Sequence, residues 1–124
     1  MCLYIDHSVE IKFNEEGYIY ANKLVIYLNN RIFSPFYPHF SWKSGWNVVE
    51  DLNDMSENGV LNKGLHVYLC DGANEKFFSM YNCKVKCYKE DLIDVGYDSA
   101  RNECAAFKKV WLDQEEYDKI KKAY

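Results

Sequence analysis

The chain has 124 residues, 48% of them apolar and 17% aromatic, with 15 basic and 19 acidic side chains and a formal net charge of −4. That length suits one domain, and the apolar content excludes disordered, collagen-like and low-complexity classes. The acidic balance lacks the cationic excess of duplex-DNA binders, and no window approaches the roughly 20 apolar residues of a membrane span.

In chain order, residues 2–8 and 9–13 are expected as short strands, the second because Val9, Ile11 and Phe13 alternate with Glu10 and Lys12. Asn14-Glu15-Glu16-Gly17 reads as a turn. Residues 18–28 follow as a long strand, apolar on both faces towards its end and therefore central in a sheet. Asn29-Asn30 tolerates positive φ, the signature of a hairpin. Pro35 and Pro38 push their predecessors towards extended geometry, so residues 32–42 cannot be a helix. Residues 50–63 are polar and form the main loop.

Leu65, Val67 and Leu69 alternate with His66, Tyr68 and Cys70, which predicts a strand. Asp71 can cap a helix over 72–81, with Phe77, Phe78, Met80 and Tyr81 on its apolar side. Cys83, Val85 and Cys87 alternate with Lys84, Lys86 and Tyr88 in the cleanest half-buried strand. Residues 103–112 form another, with a bulge expected at Lys108-Lys109. Asp113 with Glu116 forms a capping box, Leu112 with Tyr117 a hydrophobic staple, and Tyr117, Ile120 and Tyr124 share the inner face of a last helix. The expected fold is α+β: one globular domain over 1–124, with a curved, mainly antiparallel sheet and two short helices, the second C-terminal.

Met1-Cys2-Leu3-Tyr4-Ile5-Asp6 lacks the basic region and long apolar stretch of a signal peptide. The 5 cysteines are an odd number, include no Cys-x-x-Cys pair, and accompany no Asn-x-Ser/Thr site. Free thiols and a cytoplasmic location are expected.

Chemistry-bearing patterns are sparse. Cys83 and Cys87 share a strand face but stand about 13 Å apart, too far to hold one ion. His7, His39 and His66 fall in separate elements. Cys2, once Met1 is removed, could join a thiol nucleophile to an α-amine base, helped by His7 or Asp6. Cys70 and His66 are too far apart along a strand to pair. Neither a Gly-x-Gly-x-x-Gly nor a Walker A pattern occurs, and no carboxylate pair stands out among the acids. No catalytic residue, metal site or cofactor is therefore expected.

Two surfaces are candidates for binding. The first is the aromatic segment from Arg31 to Trp46, stiffened by its prolines, with Arg31, Tyr37, His39, Trp42, Lys43 and Trp46 as contacts. Rigid rings with an occasional cation suit a protein hot spot or a base-stacking surface, unless they simply fill the core. The second is a basic face of Lys84, Lys86 and Lys89, which Lys108 and Lys109 can extend. It would attract a phosphate or an acidic partner, or merely guard a solvated sheet edge.

An extended strand from about residue 23, then Phe40-Ser41-Trp42-Lys43-Ser44-Gly45, then Lys63-Gly64-Leu65-His66, then a strand–Asp–strand ending near residue 112, resembles a loose group of small phage and prophage proteins. The Met1-Cys2-Leu3 start is also seen among them. The resemblance carries over no catalytic residue. It implies a phage or mobile-element context, in which compact acidic proteins act by binding host components. It points to a non-enzymatic binding protein in the host cytoplasm, an inhibitor of a host defence system that occludes a protein partner. The alternatives are sequestration of a small nucleotide and a small cysteine-dependent enzyme using Cys2. Neither duplex DNA nor a membrane is an expected partner.

Overall fold

Apolar alternation becomes paired strand through most of the computed structural model, which describes residues 3–35, 37–49, 59–61, 63–70 and 80–124. The strands are β1 (Leu3–Ile5), β2 (Tyr18–Leu28), β3 (Arg31–Ser34), β4 (Tyr37–Trp42), β5 (Gly45–Val48), β6 (Val60–Leu61), β7 (Leu65–Tyr68), β8 (Tyr81–Tyr88), β9 (Leu92–Tyr97), β10 (Glu103–Phe107) and β11 (Lys109–Leu112). A single 3-10 turn, Lys89–Asp91, joins β8 to β9, and helix α1 (Gln114–Lys122) ends the chain. The hydrogen-bonded order is β5-β11-β8-β2-β7-β10-β9-β1-β6, antiparallel throughout, with the β3–β4 hairpin branching from the end of β2.

The long strand β2 organises this sheet. Its residues Tyr18 to Val25 run antiparallel to β8, from Tyr18 opposite Tyr88 to Val25 opposite Tyr81. Ala21 and Val25 face one core with Val85, Phe107, Val110, Leu112 and Ile120. Leu24 faces a second with Leu3, Leu61 and Ala106. Apolar residues on both faces thus mark a strand covered on both sides. Asn29 and Asn30 sit at φ 54° and 63°, the left-handed pair needed to turn β2 tightly into β3. Gly96 permits another close approach: a Cβ there would lie 1.9 Å from the Tyr4 carbonyl oxygen on β1.

Several expectations are corrected. The N-terminal strand stops at Ile5, because the Asp6 carboxylate accepts hydrogen bonds from the Ser8 backbone and hydroxyl and closes a turn. Residues 9–13 are not a strand. Val9 is buried and Ile11 and Phe13 pack on the core, so their alternation reports burial while the backbone lacks a strand partner. Residues 103–112 are two strands, not one bulged strand. At Lys108 the chain turns a corner, leaving β9 and β7 for β8 and β5, with the Lys108 amide donating to the Asp91 carbonyl.

One α-helix and one 3-10 turn replace the two short helices among the described residues. The helix expected over 72–81 lies mostly outside them, and Tyr81 opens β8 instead. Most of the 50–63 loop also lies outside, although its end supplies β6. Helix α1 begins where expected, after Asp113, but without the capping box. The Asp113 carboxylate accepts from the Trp111 indole at 2.7 Å, and the Glu116 carboxylate accepts from the Lys84 amide at 3.0 Å. Both acids therefore tie the helix to the sheet. Ile120 is fully buried, Tyr117 packs against the core, and the Tyr124 hydroxyl donates to the Val25 carbonyl.

Candidate functional site

The aromatic segment is divided by the fold. Trp42 is buried at the end of β4 opposite Ile32, with Phe40 edge-on to it. It is a core residue, contrary to the expectation of an exposed anchor. Arg31 is held within its own hairpin: Nε donates to the Ser41 hydroxyl at 2.8 Å, one Nη donates to the Pro38 carbonyl at 2.7 Å, and the guanidinium covers Phe33. Tyr37 and His39 stand exposed on the same hairpin with ring centroids 6.3 Å apart. Lys43 is exposed in the β4–β5 turn, where buried Asn47 accepts from its amide and donates to its carbonyl. Gly45, at φ +89°, completes the turn, after which Trp46 is exposed where Trp42 was buried.

Trp46 consequently leaves the hairpin and joins the lysine face. In β8, Cys83, Val85 and Cys87 point inward, so Lys84, Lys86 and Tyr88 point outward. The registers place Tyr20 opposite Lys86, Lys86 opposite Trp111, and Trp111 opposite Trp46. One continuous outer face thus crosses β2, β8, β11 and β5. Its rings form an unbroken chain: Tyr20 to Tyr18 at 5.8 Å, Tyr18 to Tyr88 at 5.6 Å, Tyr88 to Trp46 at 5.7 Å, and Trp46 to Trp111 at 5.3 Å.

Ammonium groups sit on these rings. Lys86 Nζ lies 4.1 Å from the Tyr18 centroid and 5.4 Å from that of Tyr88, while Lys109 Nζ lies 4.3 Å from Trp46. A side-chain hydrogen bond with Tyr88 raises the Lys86 pKa above the ordinary lysine value, so it is a fixed cation near neutrality. Lys84 Nζ engages the Asn22 side-chain oxygen at one border. Lys89 lies beyond β8, in the 3-10 turn, and lines a cavity of about 570 Å³ with Glu16, Gly17, Tyr88 and Glu90.

Tyr18, Tyr20, Tyr88 and Trp111 were not singled out by the sequence as site residues. Their signal is present as outward positions two apart: Tyr18 and Tyr20, Lys84, Lys86 and Tyr88, Lys109 and Trp111. What strand spacing alone lacks is the pairing that lays these rows side by side.

The interior holds a different polar pair. Lys23 is buried, donates to the His66 carbonyl at 2.7 Å, and lies 5.8 Å from the Trp42 ring. Burial lowers its pKa to about 8. Burial, then the Lys23 charge, lowers that of His66 to about 4. His66 Nε2 meets the Lys63 carbonyl, and Nδ1 has no hydrogen-bond partner among the described residues. His7 pairs with Asp94 at 2.9 Å. Among the described residues, no three His, Cys, Asp or Glu side chains converge as a metal site.

Cys70, Cys83, Cys87 and Cys104 are free thiols, and Cys2 lies outside the described residues. Burial pushes the Cys83 and Cys104 thiols up to about 12 and raises Cys87 as well, which suppresses the reactive thiolate. Cys70 is only half-buried and meets the Asn102 side chain, not His66. In the native protein, a thiol reagent should label Cys70 readily and the three buried thiols only on unfolding, as read by peptide mass. Fast native labelling of Cys83 or Cys87 would contradict this burial.

No family model, curated protein or solved structure matches the chain.

Proposed function

We propose that the chain is a non-enzymatic binding protein that holds a nucleotide-type ligand on the outer face of β2, β8, β11 and β5. The observation that carries this is the unbroken chain from Tyr20 to Trp111 with the Lys86 and Lys109 ammonium groups seated on it. A nucleotide combines a planar base with phosphate charge, and this face offers stacking surface and cations together. Stacking on an aromatic contributes about 1–3 kcal/mol per base. In a chain of net charge −4, these lysines form a local cationic patch. Burial keeps the Cys83, Cys87 and Cys104 thiols protonated, which makes these three poor nucleophiles.

A second reading rests on Tyr37 and His39, whose exposed rings on the β3–β4 hairpin suit occlusion of a protein partner. An inhibitor of a host defence system would act there. The phage context itself rests on sequence resemblance.

Tryptophan fluorescence, titrated with thymidine triphosphate and with a short oligonucleotide, tests the nucleotide site. Trp46 is 36% exposed and packs on Tyr88 and Trp111, so Trp46→Ala should cost less stability than emptying a buried ring site, and thermal melts should show the variant still folded. It should weaken binding about thirtyfold, equivalent to about 2 kcal/mol. The assignment to this face fails if neither ligand binds, or if Trp46→Ala and Lys86→Gln bind as tightly as the parent. Loss of binding on Tyr37→Ala instead would transfer the working surface to the hairpin.

A further inference from the structure

We infer that the ligand of this face is a single-stranded polynucleotide laid across the strands, not a lone nucleotide; this rests on the nucleotide site proposed above. The first argument is extent. The rings continue from β2 to β5, with successive centroids 5.3 to 5.8 Å apart. One base covers one or two such rings, so a mononucleotide leaves most of the chain bare.

The second argument is geometry. Neighbouring rings are inclined by 89°, 50°, 47° and 80°, so no flat wall is formed. A duplex presents bases stacked at about 3.4 Å along each strand, with their faces hidden inside. Neither that spacing nor that concealment suits separate, tilted rings more than 5 Å apart. A single strand can splay its bases and place each on its own ring.

The third argument is charge. Lys86 and Lys109 lie over the middle of the ring chain, and Lys84 lies beside Lys86 on β8. Their ammonium groups can meet successive phosphates while the rings hold the bases. Carboxylates border this patch: Glu16 and Glu90 flank Lys89 in the cavity beside Tyr88, Glu116 accepts from the Lys84 amide, and Asp113 accepts from the Trp111 indole N–H. An anionic backbone is therefore drawn to the Lys86 and Lys109 ammonium groups and kept off the bordering carboxylates. Rings and ammonium groups read bases and phosphates, so an oligothymidylate serves as the probe.

A twelve-nucleotide oligothymidylate, thymidine triphosphate and a twelve-base-pair duplex should be titrated against the intact chain by tryptophan fluorescence. The single strand is expected to bind at least tenfold more tightly than either other ligand. With phosphates at Lys84, Lys86 and Lys109, raising salt from 50 to 200 mM should weaken it about twentyfold. Lys86→Gln, which keeps the apolar stem, should reduce that salt dependence, and thermal melts would show whether it remains folded. Equal affinity for strand and triphosphate would overturn the polynucleotide inference while leaving the nucleotide site in place. Duplex binding as tight as the single strand would overturn it too. Failure of all three ligands would remove the nucleotide site itself.

Discussion

Trp42→Ala is expected to destabilise the fold by about 3–5 kcal/mol, the cost of emptying a buried aromatic site. Trp42 is only 4% exposed and lies opposite Ile32, itself 1% exposed. Phe40 packs edge-on against its indole, and the Lys23 ammonium faces the same ring. Removing the indole would leave a cavity and take away the ring beside a buried cation. Natural domains are stable by only about 5–15 kcal/mol, so this single change would take a large share of the total. Urea denaturation is the measurement, with the midpoint expected to fall much further for Trp42→Ala than for Trp46→Ala. Equal midpoints for the two variants would contradict the division of the aromatic segment into core and surface.

That division shows where residue pattern suffices and where it does not. The long strand at 18–28, the Asn29-Asn30 hairpin and the C-terminal helix were legible, because each depends on local periodicity or turn chemistry. Residues 9–13 carry the same alternation as a strand, yet their backbone has no ladder, since side-chain burial and strand pairing are separate facts. Trp42 and Trp46 lie four residues apart in one aromatic run, yet one ends in the core and the other on the outer face of the sheet. The reversal is made by Gly45 at φ +89° and by the paired hydrogen bonds of buried Asn47. The lysine face was legible as Lys84 and Lys86. Its aromatic half was not, because Tyr20, Lys86, Trp111 and Trp46 become neighbours only through cross-strand register. The corner at Lys108 creates that register by moving the last strand between β8 and β5. Asp113 and Glu116 likewise satisfied the spacing of a capping box, but nearby donors on the sheet captured both carboxylates.

Lys23→Met is expected to stabilise the protein at pH 7, by about 1 kcal/mol. Lys23 is 7% exposed and has no carboxylate partner among the described residues; its hydrogen-bond acceptor is the His66 carbonyl. Its pKa falls from 10.5 to about 8 because burial disfavours the ammonium ion, a penalty of about 3 kcal/mol when both states are charged. Loss of this charge-assisted hydrogen bond costs about 2 kcal/mol, leaving a net gain of about 1 kcal/mol. The sign follows from linkage. Below pH 8, folded and unfolded chains both carry the proton, and the folded state bears the full penalty. Between about 8 and 10.5 the unfolded chain binds more protons, so the penalty fades as pH rises. Alkaline ionisation of Cys83, Cys87 and Cys104 on unfolding acts in the opposite direction, but it is shared by parent and variant and largely cancels in their difference. The advantage of Lys23→Met should therefore be greatest near neutrality and shrink towards pH 10.5. On the acid side, removing the Lys23 charge lets the His66 pKa rise from about 4 towards its ordinary 6.5. Because the unfolded chain takes up the His66 proton first as pH falls, that shift also lessens the loss of stability between pH 6.5 and 4. Denaturation midpoints across pH, with parent and variant side by side, would show both effects. A variant less stable than the parent at pH 7 would mean that the buried ammonium is compensated by more than the His66 carbonyl.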